Sequence, residues 1–228
     1  MTPESSSNGV GCDTFAERRR EMIETQIRRR GVHDPRVLSA MATVPRHEFV
    51  PVEVVERAYL DEPLPIGKGQ TISQPYMVAA MTAALQLAGQ ERVLEIGTGC
   101  GYQAAVLSRL AREVFTIERL PELAEGARER LQRLGFGAVR VLCRDGTMGL
   151  AELAPFDGIL VAAAAPAVPE PLVAQLAVGG RMIVPVGTAK EQRLIYVSKQ
   201  ISGVTIATRE TCRFVPLLGE HGWKDRKP

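Results

Sequence analysis

Two stretches of the chain hold residue types spaced for chemistry on a small charged ligand. The first runs Arg92-Val-Leu-Glu-Ile-Gly-Thr-Gly-Cys-Gly-Tyr-Gln103. Val93, Leu94 and Ile96 make an apolar, partly β-branched run that reads as a buried parallel strand. Gly97, Gly99 and Gly101 follow at once, and Ala104 to Leu107 reads as a helix. Strand, glycine turn and helix form a nucleotide-type pocket, because glycine lacks a Cβ and lets backbone approach a ligand. Gly99-x-Gly101-x-x-Ala104 also fits a loose dinucleotide fingerprint, so the glycines alone do not name the ligand. The second stretch is Gln70-Thr71-Ile72-Ser73-Gln74-Pro75-Tyr76, which puts a hydroxyl just before an expected helix start at Pro75.

Three carboxylates narrow the ligand. Glu95 sits at the end of its strand, where a pyrophosphate would be repelled and an amino group favoured. Glu118 ends the next apolar run, Val114 to Ile117, and lies 23 residues after Glu95. That is close to the roughly 20 residues expected of a ribose-binding acid. Asp145-Gly146 follows a third apolar run, Val139 to Leu142, where an adenine amino group could be read. Acid, glycine loop, acid and Asp-Gly at successive strand ends resemble the S-adenosylmethionine (SAM) site of a Rossmann-like methyltransferase. On this pattern the cofactor-binding residues are Glu95, Gly97, Thr98, Gly99, Gly101, Glu118, Asp145 and Gly146.

The elements that must hold these residues follow from periodicity. Residues 1–14, polar and Ser-rich to Gly11, read as a disordered tail. Phe15, Met22, Ile23 and Ile27 share one helix face, and Gly31 is a stop. Asp34-Pro35 starts a second helix with Val37, Leu38 and Met41, and a short helical piece carries Val54 and Val55. Residues 61–76 read as a structured loop, and Ser73 is a local candidate for a helix N-cap. From Arg92, strands at 92–96, 114–117, 139–142 and 157–162 alternate with helices at 102–111, after Pro121 and near Leu150. A helix from Pro169 is expected to carry Leu172 and Leu176 and to stop at Gly179-Gly180. Strands at 181–186, 193–199 and 204–208 have no helix between them and are expected antiparallel at one edge. The fold class is α/β: a mostly parallel sheet with helices on both faces and an N-terminal helical extension. Residues 15–70 form that extension and a substrate loop, and 71–228 form the SAM-binding domain, the two making one globular unit.

Composition excludes other classes. A charge of +2 argues neither for nor against nucleic acid, but the arginine triplets 18–20 and 28–30 are interleaved with Glu17, Glu21 and Glu24 as on a solvated helix face. No apolar run reaches a membrane span of about 20 residues, and residues 1–11 lack the apolar centre of a secretory signal. Cys12, Cys100, Cys143 and Cys212 form no C-x-x-C pair and read as reduced thiols in the cytoplasm. His33, His47 and His221 are scattered, and His47-Glu48 finds no second histidine at zinc spacing, so no metal is expected.

With these residues in view, the sequence resembles the protein-L-isoaspartate O-methyltransferase family. Gln70 to Tyr76 resembles its signature before the glycine loop, and Val93 to Gln103 resembles its SAM loop. Pro155-Phe156-Asp157 onward through Pro166, Gly179 to Gly187, and Arg213-Phe-Val-Pro-Leu217 match further segments. Cys100 stands where a serine is common, and Cys143-Arg144-Asp145-Gly146 departs from the usual Gly-Asp-Gly lead-in. The resemblance implies methyl transfer from SAM to the free carboxylate of L-isoaspartyl, and less well D-aspartyl, residues of damaged proteins and peptides. It places the functional serine on Ser73, with Thr71, Ile72, Gln74 and Tyr76 beside the substrate. It also implies a monomer, with no nucleic-acid or membrane partner. The pocket reading taken alone leaves a small-molecule SAM methyltransferase equally open. An NAD-dependent oxidoreductase and a silent SAM-binding module are further alternatives.

Overall fold

The computed structural model describes residues 11–224. Helix α1 (Gly11–Met22) begins inside the stretch expected to be a tail, whose residues 1–10 lie outside the described ones. It runs through a π turn, Ile23–Ile27, and a 3-10 turn, Arg28–Arg30, to Gly31 at φ +95°. Met22, Ile23 and Ile27 are buried, so the irregular turns keep one apolar stripe facing inward. Asp34 caps α2 (Pro35–Thr43) by accepting the Arg36 N–H, as expected from Asp34-Pro35. Two 3-10 turns, Arg46–Phe49 and Val52–Arg57, lead to a feature the loop reading did not contain. This is an antiparallel hairpin, β1 (Leu64–Gly67) and β2 (Gln70–Ile72), turned at Lys68 and Gly69. Helix α3 (Pro75–Ala84) follows.

The remaining elements build a seven-stranded sheet. In chain order they are β3 (Arg92–Ile96), α4 (Tyr102–Leu107), β4 (Glu113–Glu118), α5 (Pro121–Arg133) and β5 (Arg140–Cys143). Then come two 3-10 turns, Gly146–Met148 and Ala151–Leu153, β6 (Phe156–Val161), α6 (Glu170–Ala174), β7 (Leu176–Gly187), β8 (Gln192–Gln200) and β9 (Gly203–Cys212). The spatial order is β5-β4-β3-β6-β7-β8-β9. The strands β5, β4, β3, β6 and β7 pair in parallel, and β8 and β9 close the edge antiparallel, as expected. The chain winds from β3 toward β5, then crosses back to β6 on the other side of β3. That reversal opens a crevice at the carboxyl ends of β3, β4 and β6.

Strand parity divides the core. Val93, Val114, Leu160 and Ile183 face a thick helical layer from α1, α2, α3, α4 and α5, while Leu94, Ile96, Phe115, Ile117, Ile159 and Met182 face a thinner one with α6. Two later helix boundaries depart from expectation: α4 ends at Leu107, not at 111, and α6 is cut short as well. α6 ends at Ala174, and Leu176 to Gly180 belong to β7, where Leu176 pairs with Phe156. The Gln175 side chain binds the Leu150 N–H and the Met148 carbonyl, which turns the chain out of the helix early. Gly180 then serves a register shift in the strand, since a Cβ there would lie 3.0 Å from the Asp157 carbonyl.

Gly146 fits beneath β3 only as glycine, because a Cβ would lie 2.5 Å from Ile96 Cγ2. Gly126, inside α5, has open space at the same position. Gly146→Ala is expected to lower stability by about 1–3 kcal/mol through overpacking, and Gly126→Ala to raise it by roughly 0.5–1 kcal/mol through helix propensity. Urea unfolding of both variants checks the pair.

Candidate active site

The glycine loop is gathered onto the end of β4. Gly97 and Thr98 donate their N–H groups to the Ile117 carbonyl at 2.8 and 3.2 Å. Gly99 N–H donates to Glu118 Oε2 at 2.9 Å, and Leu120 N–H to Oε1 at 3.0 Å. Gly97, Gly99 and Gly101 all have positive φ, which a side chain would resist. Both Glu118 oxygens are thereby fixed, with lone pairs left for a ligand diol.

Glu95 lies under this loop. It is fully buried on the same strand parity as Val93, toward the helical layer. Thr116 Oγ1 donates to its Oε2 at 2.6 Å, Thr98 Oγ1 lies 2.6 Å from Thr116 Oγ1, and Oε1 has no partner. Burial pushes the Glu95 carboxyl up to about 8, with the Glu118 charge adding to this and the Thr116 hydroxyl opposing it. The sequence pointed to Glu95 but not to Thr116, whose alternation with Phe115 and Ile117 turns its hydroxyl to the Glu95 side.

A cavity opens at the crevice. Ile96, Gly97, Gly99, Ile117, Glu118, Gly146 and Ala162 line it from the sheet. Gln70 and Thr71 line it from the hairpin, and Val215 to Leu218 from the segment after β9. The hairpin is seated over the glycine loop. Ile66 Cδ1 lies 3.1 Å from where a Gly99 Cβ would be, and Lys68 Nζ pairs with Glu122 Oε1 at 2.9 Å. A second cavity adjoins the first. It is lined by Ser73, Gln74, Tyr76, Arg30, Glu210 and Arg213, and it shares Thr71, Ala162 and Val215 with the first. Ile72 is buried instead, as the inward residue of β2.

Ser73 is not the helix cap. The N-cap of α3 is Gln74, which makes no side-chain cap bond. Pro75 has no N–H, and the Tyr76 N–H is taken by Asp61 Oδ1 at 3.2 Å. The start of α3 therefore has no free amide at Tyr76 for an anion. Asp61 also pairs with Arg30, whose guanidinium lies 3.4 Å over the Tyr76 ring. Ser73 is held through its backbone: Arg46 Nη2 donates to the Ser73 carbonyl at 2.8 Å, and Arg46 Nε to the Ala58 carbonyl at 2.7 Å. Arg46 is fully buried against Tyr102, the first residue of α4. No motif marked Arg46 or Asp61, and Arg30 belongs to a triplet that reads as a solvated helix face; their partners lie 12 to 56 residues away in sequence.

Glu95, Thr98, Gly101 and Asp145 do not line the first cavity; Glu95, expected to face a ligand amino group, is buried beneath the loop. Thr98 is in the buried hydroxyl pair. Gly101 is the N-cap of α4, where a Cβ would meet the Leu131 side chain at 3.2 Å. Asp145 binds the Thr147 N–H and hydroxyl and the Glu220 N–H.

The donor set fits SAM. A fixed carboxylate suits a ribose diol, glycine and alanine leave room for a ring system, and Ile96, Ile117 and Leu217 offer it apolar walls. A family model described as protein-L-isoaspartate(D-aspartate) O-methyltransferase matches residues 17–222. The chain belongs to this methyltransferase family. A protein-L-isoaspartate O-methyltransferase of Desulfosudis oleivorans is 53% identical over 211 residues, 92% of this chain and 96% of that protein. One from Marinobacter nauticus, protein-L-isoaspartate O-methyltransferase 2, is 58% identical over 207 residues, 90% of this chain and 94% of its own. A solved protein-L-isoaspartate O-methyltransferase superposes with a TM-score of 0.81 at 31% identity, covering 90% of this chain and 67% of that one. A Plasmodium falciparum structure, described as a complex of a family enzyme with S-adenosyl-L-homocysteine, gives 0.75 at 26% identity, covering 90% and 98%. The isoaspartate O-methyltransferase fold is thus the one seen here, SAM-methyltransferase sheet and N-terminal helices together.

Glu95 makes stability pH-dependent. Its folded-state pKa of about 8 lies above the ordinary 4.5, so between these values the folded chain keeps a proton that the unfolded chain gives up. Stability contributed by the group therefore falls as pH rises through that window, with a slope approaching ~1.4 kcal/mol per pH unit. Urea midpoints of ligand-free wild type and Glu95→Gln, taken at pH 5 and 8.5, are expected to differ most in their pH dependence, with the variant flatter. Parallel profiles would show that Glu95 does not titrate there.

Proposed function

We propose that this chain methylates the free carboxylate of L-isoaspartyl and D-aspartyl residues, with SAM in the first cavity and the damaged residue in the second. The observation that carries the reading is the meeting of the two cavities at Thr71, Ala162 and Val215. Glu118 stands on one side of that junction and Ser73 on the other.

Bound SAM supplies an electrophilic methyl group on a sulfonium. A carboxylate is already ionised at neutral pH, so the protein need provide no general base. Its contribution is orientation and exclusion of water, which together are worth several kcal/mol. In this reading the Ser73 hydroxyl donates to one carboxylate oxygen of the substrate and turns the other toward the junction. Arg46 fixes the Ser73 backbone from below. Gln70 and Thr71 reach from the hairpin into the first cavity, and Gln74 and Tyr76 wall the second. Glu118 takes the ribose hydroxyls, and Gly97, Gly99 and Gly146 leave space for the nucleoside. The following backbone amide nitrogen then attacks the ester carbonyl and expels methanol, giving a succinimide that water reopens in part to normal aspartate. The same reading makes the enzyme a cytoplasmic monomer acting on proteins and peptides rather than nucleic acid. Among the described residues no helix is long and apolar enough to cross a membrane.

Methyl transfer from labelled SAM to a peptide with one isoaspartate, beside the same peptide with aspartate, tests the substrate. Base-labile label on the isoaspartyl peptide alone is expected; label on neither, with SAM still bound, would favour a small-molecule substrate. Ser73→Ala is expected to lower kcat by about 10²-fold, the scale of a misplaced reactant, while the Kd for SAM holds. Unchanged turnover would remove Ser73 from the mechanism.

A further inference from the structure

Asp145 stands where an adenine-reading acid was expected, yet both of its oxygens face protein. Oδ1 accepts the Thr147 N–H at 2.8 Å and the Thr147 hydroxyl at 2.7 Å. Oδ2 accepts the N–H of Glu220, 75 residues onward, at 2.8 Å. Thr147 extends the link, since its Oγ1 accepts the His221 N–H at 3.1 Å. The Asp145 carboxyl is held below its ordinary value; burial opposes this, and the bonds from Glu220 and Thr147 outweigh burial.

Those bonds reach one compact unit, residues 217–223. Trp223 N–H closes on the Leu217 carbonyl at 2.7 Å, and Gly219 N–H on the Trp223 carbonyl at 3.2 Å. Gly219 lets the unit pack against Asp145, and Gly222 lets it close on itself. A Cβ at Gly219 would lie 2.2 Å from Asp145 Oδ1, and one at Gly222 would lie 2.3 Å from the Leu217 carbonyl. On the other side the Leu217 N–H and Trp223 Nε1–H both donate to the Ala164 carbonyl, at 2.8 and 3.1 Å. The strap is thus pinned at the end of β5 and at the end of β6. Between these pins, Leu217 and Leu218 form a wall of the first cavity.

We propose that Asp145 is a positioning residue that seats the 217–223 strap as a wall of the SAM cavity and acts on the cofactor through that wall. The proposal rests on the reading of the first cavity as the SAM site. A carboxylate is needed because two separate backbone N–H groups and a hydroxyl converge on it, and an acceptor-only group meets all three. An amide would turn a donor toward one of them.

The experiment compares Asp145→Asn with Trp223→Phe, which removes the indole donor at the far pin and keeps an aromatic ring there. Calorimetry measures Kd for S-adenosylhomocysteine and for its analogue with hydrogen in place of the adenine 6-amino group. Amide exchange in the ligand-free protein reads Glu220 and His221. The expected result is that Asp145→Asn weakens both ligands alike, by about tenfold, and speeds exchange at both amides. Trp223→Phe is expected to weaken both ligands in the same ratio, and the double variant to lose less than the product of the two single losses. If Asp145→Asn weakens only the ligand bearing the amino group, the carboxylate reads adenine directly and the proposal falls. Unchanged exchange at Glu220 and His221 also overturns it. If the wild-type chain binds neither ligand, the cavity assignment fails, while the exchange data still report whether Asp145 holds the strap.

Discussion

Three N–H groups of the glycine loop converge on the end of β4, two on the Ile117 carbonyl and one on the Glu118 carboxylate. This junction is the constraint on which the site depends. A loop of glycines has little conformational preference of its own and loses more entropy on ordering than any other loop. Here the order is imposed by the neighbouring strand, through register pairs such as Ile96 with Ile117. The residue that could hold a ribose is thus also the residue that shapes the loop. Glu118 is oriented before any ligand arrives, and a change at this carboxylate would disturb the loop as well as the ligand contact.

The buried Glu95 follows from the same geometry. Strand parity sends Leu94 and Ile96 to one face, and Val93 and Glu95 to the other. Glu95 must therefore enter the helical layer beneath the loop, where only Thr116 and Thr98 supply polar company. An ionised carboxylate there would have one oxygen without a hydrogen bond, a costly state in a low-dielectric interior. Keeping the proton is the cheaper solution there, which is why burial pushes the Glu95 carboxyl upward, while both oxygens of Glu118 accept backbone amides.

The part of the site built on adjacent strands was legible in the sequence because its signals are local. Alternating apolar residues set the parity of β3 and β4, and glycines followed by a helical run marked the loop. Elsewhere local signals had two meanings. Leu172 and Leu176 at a spacing of four fit a helix, but Gln175 is drawn into bonds with residues 148 and 150, and the strand begins at Leu176. Ser73 before Pro75 looks like a cap, but the cap falls one residue later, at Gln74. The hairpin at 64–72 was hidden because its strands are three and four residues long and its prolines and glycines read as loop. The bond from Glu220 to Asp145 leaves no sequence signal, because the two are 75 residues apart and the donor is a backbone N–H, which any residue but proline supplies equally.

The same distinction separates the two cavities. The first is framed largely by the ends of parallel strands, so its shape is set by the sheet. The second depends on contacts that cross long stretches of chain. Arg46 holds Ser73, Asp61 takes the Tyr76 N–H, and Arg30 lies over the Tyr76 ring. All three come from the N-terminal extension. Arg46 is the clearest case: a fully buried guanidinium that pairs with no carboxylate among the described residues, donates from Nε to the Ala58 carbonyl and from Nη2 to the Ser73 carbonyl, leaves Nη1 without a hydrogen bond, and rests on Tyr102. Burying a cation without a counter-charge is unfavourable, and apolar packing would fill the space more cheaply. What an apolar residue could not do is hold residues 58, 73 and 102 in one fixed relation. The N-terminal extension is therefore part of the second cavity rather than an accessory to the sheet, and that cavity keeps its shape only when residues 30, 46 and 61 are in place.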